Sequence, residues 1–183
     1  MQPEKWLHKQ LFYMKRFLTI LSLLFALQMQ AQVSKVNLQA SGLTCAMCSR
    51  AVYTALSKVP FVDKVTANIE QSSYDLSFKP GSQVDYDALS KAVEDAGFSV
   101  AHLKVTARFA NVKVQNDAHV LVNNQDFHFI NVPEQVLNGE RTISLVDKEF
   151  VSAKDFRKYE KLTALKCYQS GMMDGKRVYH VTM

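Results

Sequence analysis

The sequence predicts an α+β protein, a βαββαβ sandwich followed by a small β-rich domain with one short helix. Three observations carry this reading. Over residues 33–104 the apolar pattern switches between period two and helical spacing in the order strand, helix, strand, strand, helix, strand. Residues 106–183 are mostly alternating segments with a single helical stripe. The 183 residues are 48% hydrophobic with only six Gly and four Pro, which excludes disordered, collagen-like and disulfide-dense classes and predicts packed cores.

Each element has its own signal. Val36, Leu38 and Ala40 alternate with Asn37 and Gln39 as a half-buried strand, broken by Gly42. Thr44 to Ser49 forms a loop. Val52, Ala55, Leu56 and Val59 then recur at helical spacing until Pro60. Val62–Ile69 and Ser73–Phe78 read as two strands, and Lys79-Pro80-Gly81-Ser82 as a loop. Asp85 is placed to cap a second helix with the stripe Tyr86, Leu89, Ala92, Val93 and Ala96, and Gly97 ends it. Phe98 to Val105 supplies the last strand. That order within about seventy residues describes a ferredoxin-like sandwich.

In the second half, Arg108–Gln115 and His119–Val132 alternate like strands, with a turn at residues 123–126, and Thr142–Val146 is a further strand. Ser152 to Asp155 opens a short helix carrying Phe156, Tyr159 and Leu162 on its buried stripe. Leu165–Tyr168 and Arg177–Met183 read as a hairpin around Asp174-Gly175.

The N-terminus reads as an address. Lys15-Arg16 precedes eleven uncharged residues, Phe17 to Leu27, and Ala31 follows as a small residue near the exit, the layout of a secretory signal peptide. The run is shorter than the roughly 20 residues that span a bilayer, so no stable membrane span is expected after cleavage. Residues 1–31 are thus an N-terminal extension and signal peptide, with Met14 a second candidate start. The net charge of +5 includes +3 from the first 32 residues, so it argues for no nucleic-acid groove. Charges over 33–104 cancel, seven against seven.

The chemistry concentrates in Cys45-x-x-Cys48, at the turn from the first strand into the first helix. Two thiols three residues apart at a helix start can converge on one ion, and the helix N-terminus favours anionic sulfur. A two-sulfur soft site suits Cu(I), whereas structural zinc normally takes four ligands. The same spacing also fits a thiol-disulfide redox pair, which an oxidising compartment makes more serious. Trp-Cys-Gly-Pro-Cys-type neighbours are absent.

Gly42-Leu43-Thr44-Cys45-Ala46-Met47-Cys48 inside βαββαβ, with Gly97-Phe98 entering the last strand, resembles the heavy-metal-associated domain over Val33 to Lys104. That family includes copper chaperones, N-terminal domains of copper-pumping P-type ATPases and a secreted mercury-binding protein. The resemblance implies that Cys45 and Cys48 are the metal ligands and that Thr44 fits the copper and mercury branches. It places Phe98 in the loop that approaches the metal. Leu43 stands where many relatives have a Met that packs under the loop, a departure that preserves packing.

Cys167, Met172, Met173 and His180 gather soft ligands near the C-terminus as a possible secondary site; the plainer reading makes Cys167 a small buried hydrophobe. Met47 reads as an exposed loop residue. His128, between Phe127 and Phe129, points away from both and is expected on the surface. The lysines of 154–166 read as a solvated helix face. No catalytic constellation stands out.

The expectation is a non-enzymatic, exported protein, secreted and periplasmic, that captures Cu(I) and passes it by thiolate exchange to a metal-donor or metal-acceptor protein such as a copper transporter. The alternatives are Hg(II)-binding detoxification, a thiol-disulfide protein and a structural adaptor.

Overall fold

A computed structural model describes residues 32–183; the signal peptide expected over 1–31 lies outside the described residues. The chain forms β1 (Gln32–Ser41), α1 (Ala46–Ser57), β2 (Val62–Asn68), β3 (Ser73–Phe78), α2 (Tyr86–Asp95) and β4 (Ser99–Val114). These four strands pair antiparallel in the order β2-β3-β1-β4, forming the single sheet of a ferredoxin-like sandwich. Val36 and Leu38 of β1 are fully buried with Val52 and Leu56 of α1 and Leu89 and Val93 of α2. Asp85 caps α2 through a 3.1 Å bond from the Ala88 N–H. At the other end Gly97, at φ 88°, lets Gly97 and Phe98 donate back to Glu94 and Val93.

The second half adds β5 (Ala118–Val122), β6 (Gln125–Phe129), β7 (Gln135–Leu145), α3 (Ala153–Glu160), α4 (Cys167–Ser170), β8 (Met172–Met173) and β9 (Lys176–Thr182). It continues the same sheet, β4-β7-β9-β6-β5, with β8 pairing β9. The boundary expected at residues 104–106 therefore falls inside a strand. β4 crosses it unbroken because residues 104–108 carry no turn residue, and residues 32–183 lie in one compact unit with one main core. The strand expected at Arg108 is the far half of β4. Asn111, at φ 54°, makes a bulge between the pairs Phe109–Gly139 and Val112–Leu137 instead of a reversal.

Helix α2 holds the halves together. Tyr86 is fully buried and meets the rings of Phe127 and Tyr179 edge-on, at centroid distances of 6.1 and 4.9 Å. Gln125 Nε2 donates to the Val84 carbonyl at 2.6 Å. Arg177 makes a two-pronged bond to Asp87 at 2.8 and 2.9 Å, reaches Asp147 at 3.0 Å, and lies 4.4 Å over the Tyr179 ring. Burial opposes its charge, but the two carboxylates hold the guanidinium above the ordinary arginine value.

Two further expectations are corrected. Leu165–Tyr168 is not the first arm of the C-terminal hairpin. It leads into α4, and the hairpin is the short β8–β9 pair, with Asp174 and Gly175 both at positive φ. His128 is not on the surface; it is fully buried. The alternation argument gives its direction correctly, away from Phe127 and Phe129, but that face of β6 is also covered. Ile130, Val146 and Tyr168 form a second small core there, joined by Phe156 and Tyr159 of α3.

Replacing Arg177 with Ala would leave Asp147, which is only 3% exposed, without its cation. The expected loss is about 2–4 kcal/mol of stability, read in urea unfolding as a lower midpoint at unchanged m-value.

Candidate metal centre

The loop between β1 and α1 is built by three local choices. Gly42 takes φ 80°, a left-handed conformation that turns the chain out of β1, and a methyl group there would lie 3.9 Å from Phe98 Cδ1. Leu43 and Phe98 are partly buried and pack against the main core, so both support the loop from below. Cys45 is the helix N-cap, with extended backbone (φ −149°, ψ 159°), and its sulfur accepts the Cys48 N–H at 3.2 Å. Ser49, in the first turn of α1, is buried, and Tyr74 of β3 donates its hydroxyl to the Ser49 carbonyl at 3.1 Å.

Both sulfurs therefore stand at the start of a twelve-residue helix with no acidic residue in its first turn. That end carries partial positive charge and unpaired N–H groups, which stabilise thiolates. Thr44, Cys45 and Met47 are exposed, Met47 to 77%, while Cys48 is half-buried. The Cys45 and Cys48 sulfurs are joined as a disulfide, with Cα atoms 5.3 Å apart. In that state neither has a free lone pair of thiolate character. Two electrons must arrive from a reductant, opening the bond to two thiolates, before the pair can hold an ion.

The secondary cluster expected at the C-terminus is not assembled as such. Met172 and Met173 form β8 with exposed side chains. His180 is buried on β9, and its Nδ1 lies 2.8 Å from Asp147 Oδ1. Cys167 is buried and free, as the plainer reading has it, but its sulfur faces His128 and His119 rather than His180. Neither histidine is among the residues that the sequence marks as ligands.

A family model described as the heavy-metal-associated domain matches residues 37–99. The copper chaperone CopZ of Bacillus subtilis (strain 168) is 34% identical over 65 residues, covering 36% of this chain and 93% of that protein. The mercuric transport protein periplasmic component of Acinetobacter calcoaceticus is 34% identical over 84 residues, 46% of this chain and 91% of that protein. The copper-transporting ATPase RAN1 of Arabidopsis thaliana is 38% identical over 64 residues; these are 35% of this chain but 6% of that protein, so the chain spans a small part of its length. The fold and the matches define a protein of the metal-handling βαββαβ class. This chain belongs to the heavy-metal-associated domain family.

Removing the Tyr74 hydroxyl takes away the buried donor that ties β3 to the first turn of α1. Tyr74→Phe is expected to lower stability by about 1 kcal/mol, measured by urea unfolding of the oxidised protein.

Proposed function

We propose that the reduced protein captures a soft metal ion, Cu(I), and passes it on by thiolate exchange at Cys45 and Cys48. The observation that carries this reading is the placement of both sulfurs at the N-terminus of α1, one as its cap, within the segment that matches the heavy-metal-associated family. Two soft thiolates give Cu(I) a low-coordinate site that hard ions do not favour. The different exposure of the two sulfurs orders the steps. Cys45 meets the incoming ion, Cys48 completes a near-linear site, and a partner thiolate or thioether then enters through a three-coordinate intermediate. The ion changes owner without release to water. Thr44 beside Cys45 fits the copper and mercury branches of the family, and Phe98 and Leu43 keep the loop in place.

Export to the periplasm is part of this proposal, resting on Lys15-Arg16 and the apolar run from Phe17 to Leu27. The partner is then a metal-donor or metal-acceptor protein, a copper transporter being the nearest class. Hg(II) uses the same two sulfurs, and the mercuric transport relative makes it the leading alternative cargo.

The disulfide favours a second reading, a thiol-disulfide protein that accepts electrons from a dithiol substrate. In it Cys45, the exposed sulfur, forms the mixed disulfide and Cys48 resolves it. Cys48→Ser then traps the mixed disulfide through Cys45.

The deciding experiment is titration of the reduced protein with Cu(I) against a competing chelator, beside Cys45→Ser/Cys48→Ser. One tightly held equivalent is expected, weakened by at least ~100-fold in the double variant, as loss of both thiolates demands. Equal retention by both proteins, or no tight binding by either, overturns the assignment. Competition between Cu(I) and Hg(II) separates the two cargoes.

A further inference from the structure

Three strands set three imidazoles side by side. His119 on β5 is the register partner of His128 on β6, and His128 is the register partner of His180 on β9. The first two rings stack in parallel at 4.7 Å, and His180 stands edge-on to His128 at 5.1 Å. Cys167, carried in by α4, brings its Sγ to 3.6 Å from His128 Nδ1 and 4.0 Å from His119 Nε2. One ligand atom from each of His119, His128 and Cys167 lies within 4.8 Å of the other two. A tetrahedral ion with bonds of roughly 2.0–2.1 Å to nitrogen and 2.3 Å to sulfur separates those atoms by about 3.3–3.6 Å, so the sulfur already stands near bonding geometry with both nitrogens.

The outer contacts point the same way. His119 Nδ1 lies 3.1 Å from Asp126 Oδ1, and His128 Nε2 lies 3.0 Å from Asp117 Oδ1. An ionised carboxylate only accepts, so a neutral imidazole in either place puts its N–H on the carboxylate and leaves its lone pair on the Cys167 side. Asp117 is itself held by the Thr163 hydroxyl at 2.6 Å. His180 repeats the pattern with Asp147, and its Nε2 is buried with no hydrogen-bond partner.

We propose that His119, His128 and Cys167 form a second metal site, for a borderline-soft divalent transition-metal ion such as Zn(II). Two imidazoles and one thiolate match that class better than a hard, oxygen-seeking cation. Binding displaces the thiol proton of Cys167 to solvent, and the dication offsets the thiolate that burial otherwise disfavours. His119, with 22% of its side chain exposed, is the way in; His128 is closed off. The site is independent of the reading of Cys45 and Cys48, and the test removes those sulfurs.

The full chain carrying Cys45→Ser/Cys48→Ser is titrated with Co(II), then challenged with Zn(II) under chelator competition. One equivalent of Co(II) is expected, showing thiolate-to-metal charge transfer that Zn(II) abolishes. Adding Cys167→Ala should remove the charge-transfer band, and His119→Ala should weaken Zn(II) by at least ~10-fold. Asp126→Asn moves no ligand and lies toward the surface, so it keeps the test open if a buried variant fails to fold; a loss of about 10–100-fold is expected there. Absence of a stoichiometric Co(II) signal before Cys167 is changed overturns the proposal. So does Zn(II) affinity that is unchanged in folded Cys167→Ala and His119→Ala.

Discussion

The contact of Tyr86 with Phe127 and Tyr179 is the interaction on which the rest of the structure depends. In an isolated βαββαβ sandwich a helix covers one face of the sheet and shows its other side to water. Here the buried stripe of α2 continues past the four-stranded sandwich, because Tyr86 in its first turn packs against rings from β6 and β9. Burying Tyr86 stabilises by the order of a few kcal/mol, and Arg177 fixes the angle of approach through Asp87 and Asp147. The long β4 strand makes the same connection through backbone. Side-chain packing and ladder pairing therefore agree on one core.

That arrangement leaves the Cys45–Cys48 loop at a distance in sequence from every residue of the second half, yet anchored on both sides. Leu43 and Phe98, the latter just before β4, pack against the core beside it, and Ser49 is tied to β3 through Tyr74. The loop owes its shape to the sandwich alone. Its chemistry is set by oxidation state: joined sulfurs retain the capping bond to the Cys48 N–H but have no metal chemistry, whereas separated thiolates gain from the same helix end.

Most of the sandwich was legible because each element carries one clear period and a clear stop. Asp85 as cap and Gly97 as terminator are local signals that tertiary context did not override, whereas the first helix stops at Ser57, short of Val59 and Pro60. The second half was less legible for physical reasons. β4 continues where a new strand was expected, since alternation alone does not say whether a chain reverses. Cys167 reads equally well as strand or helix in a segment four residues long. The histidines were within reach. Asn123 and Asn124, both at positive φ, form a two-residue turn that pairs Val122 with Gln125, and counting outward from it puts His119 opposite His128. A wider turn, over residues 123–126, hid that pairing. The burial of His128 had no such signal, because the segment that packs on it carries Cys167, thirty-nine residues on.

The position of β5 in the sheet has a dynamic consequence. Among the described residues β5 pairs only with β6, so five residues and one ladder hold it, whereas β6 is held by a ladder on each side. Opening of an edge strand costs less free energy than global unfolding, and its amides exchange with solvent sooner. His119 rides on that edge strand, while His128 and His180 belong to the interior of the sheet. The imidazole ladder therefore spans a gradient of local stability, with one end able to breathe on its own and the other opening only when the fold does.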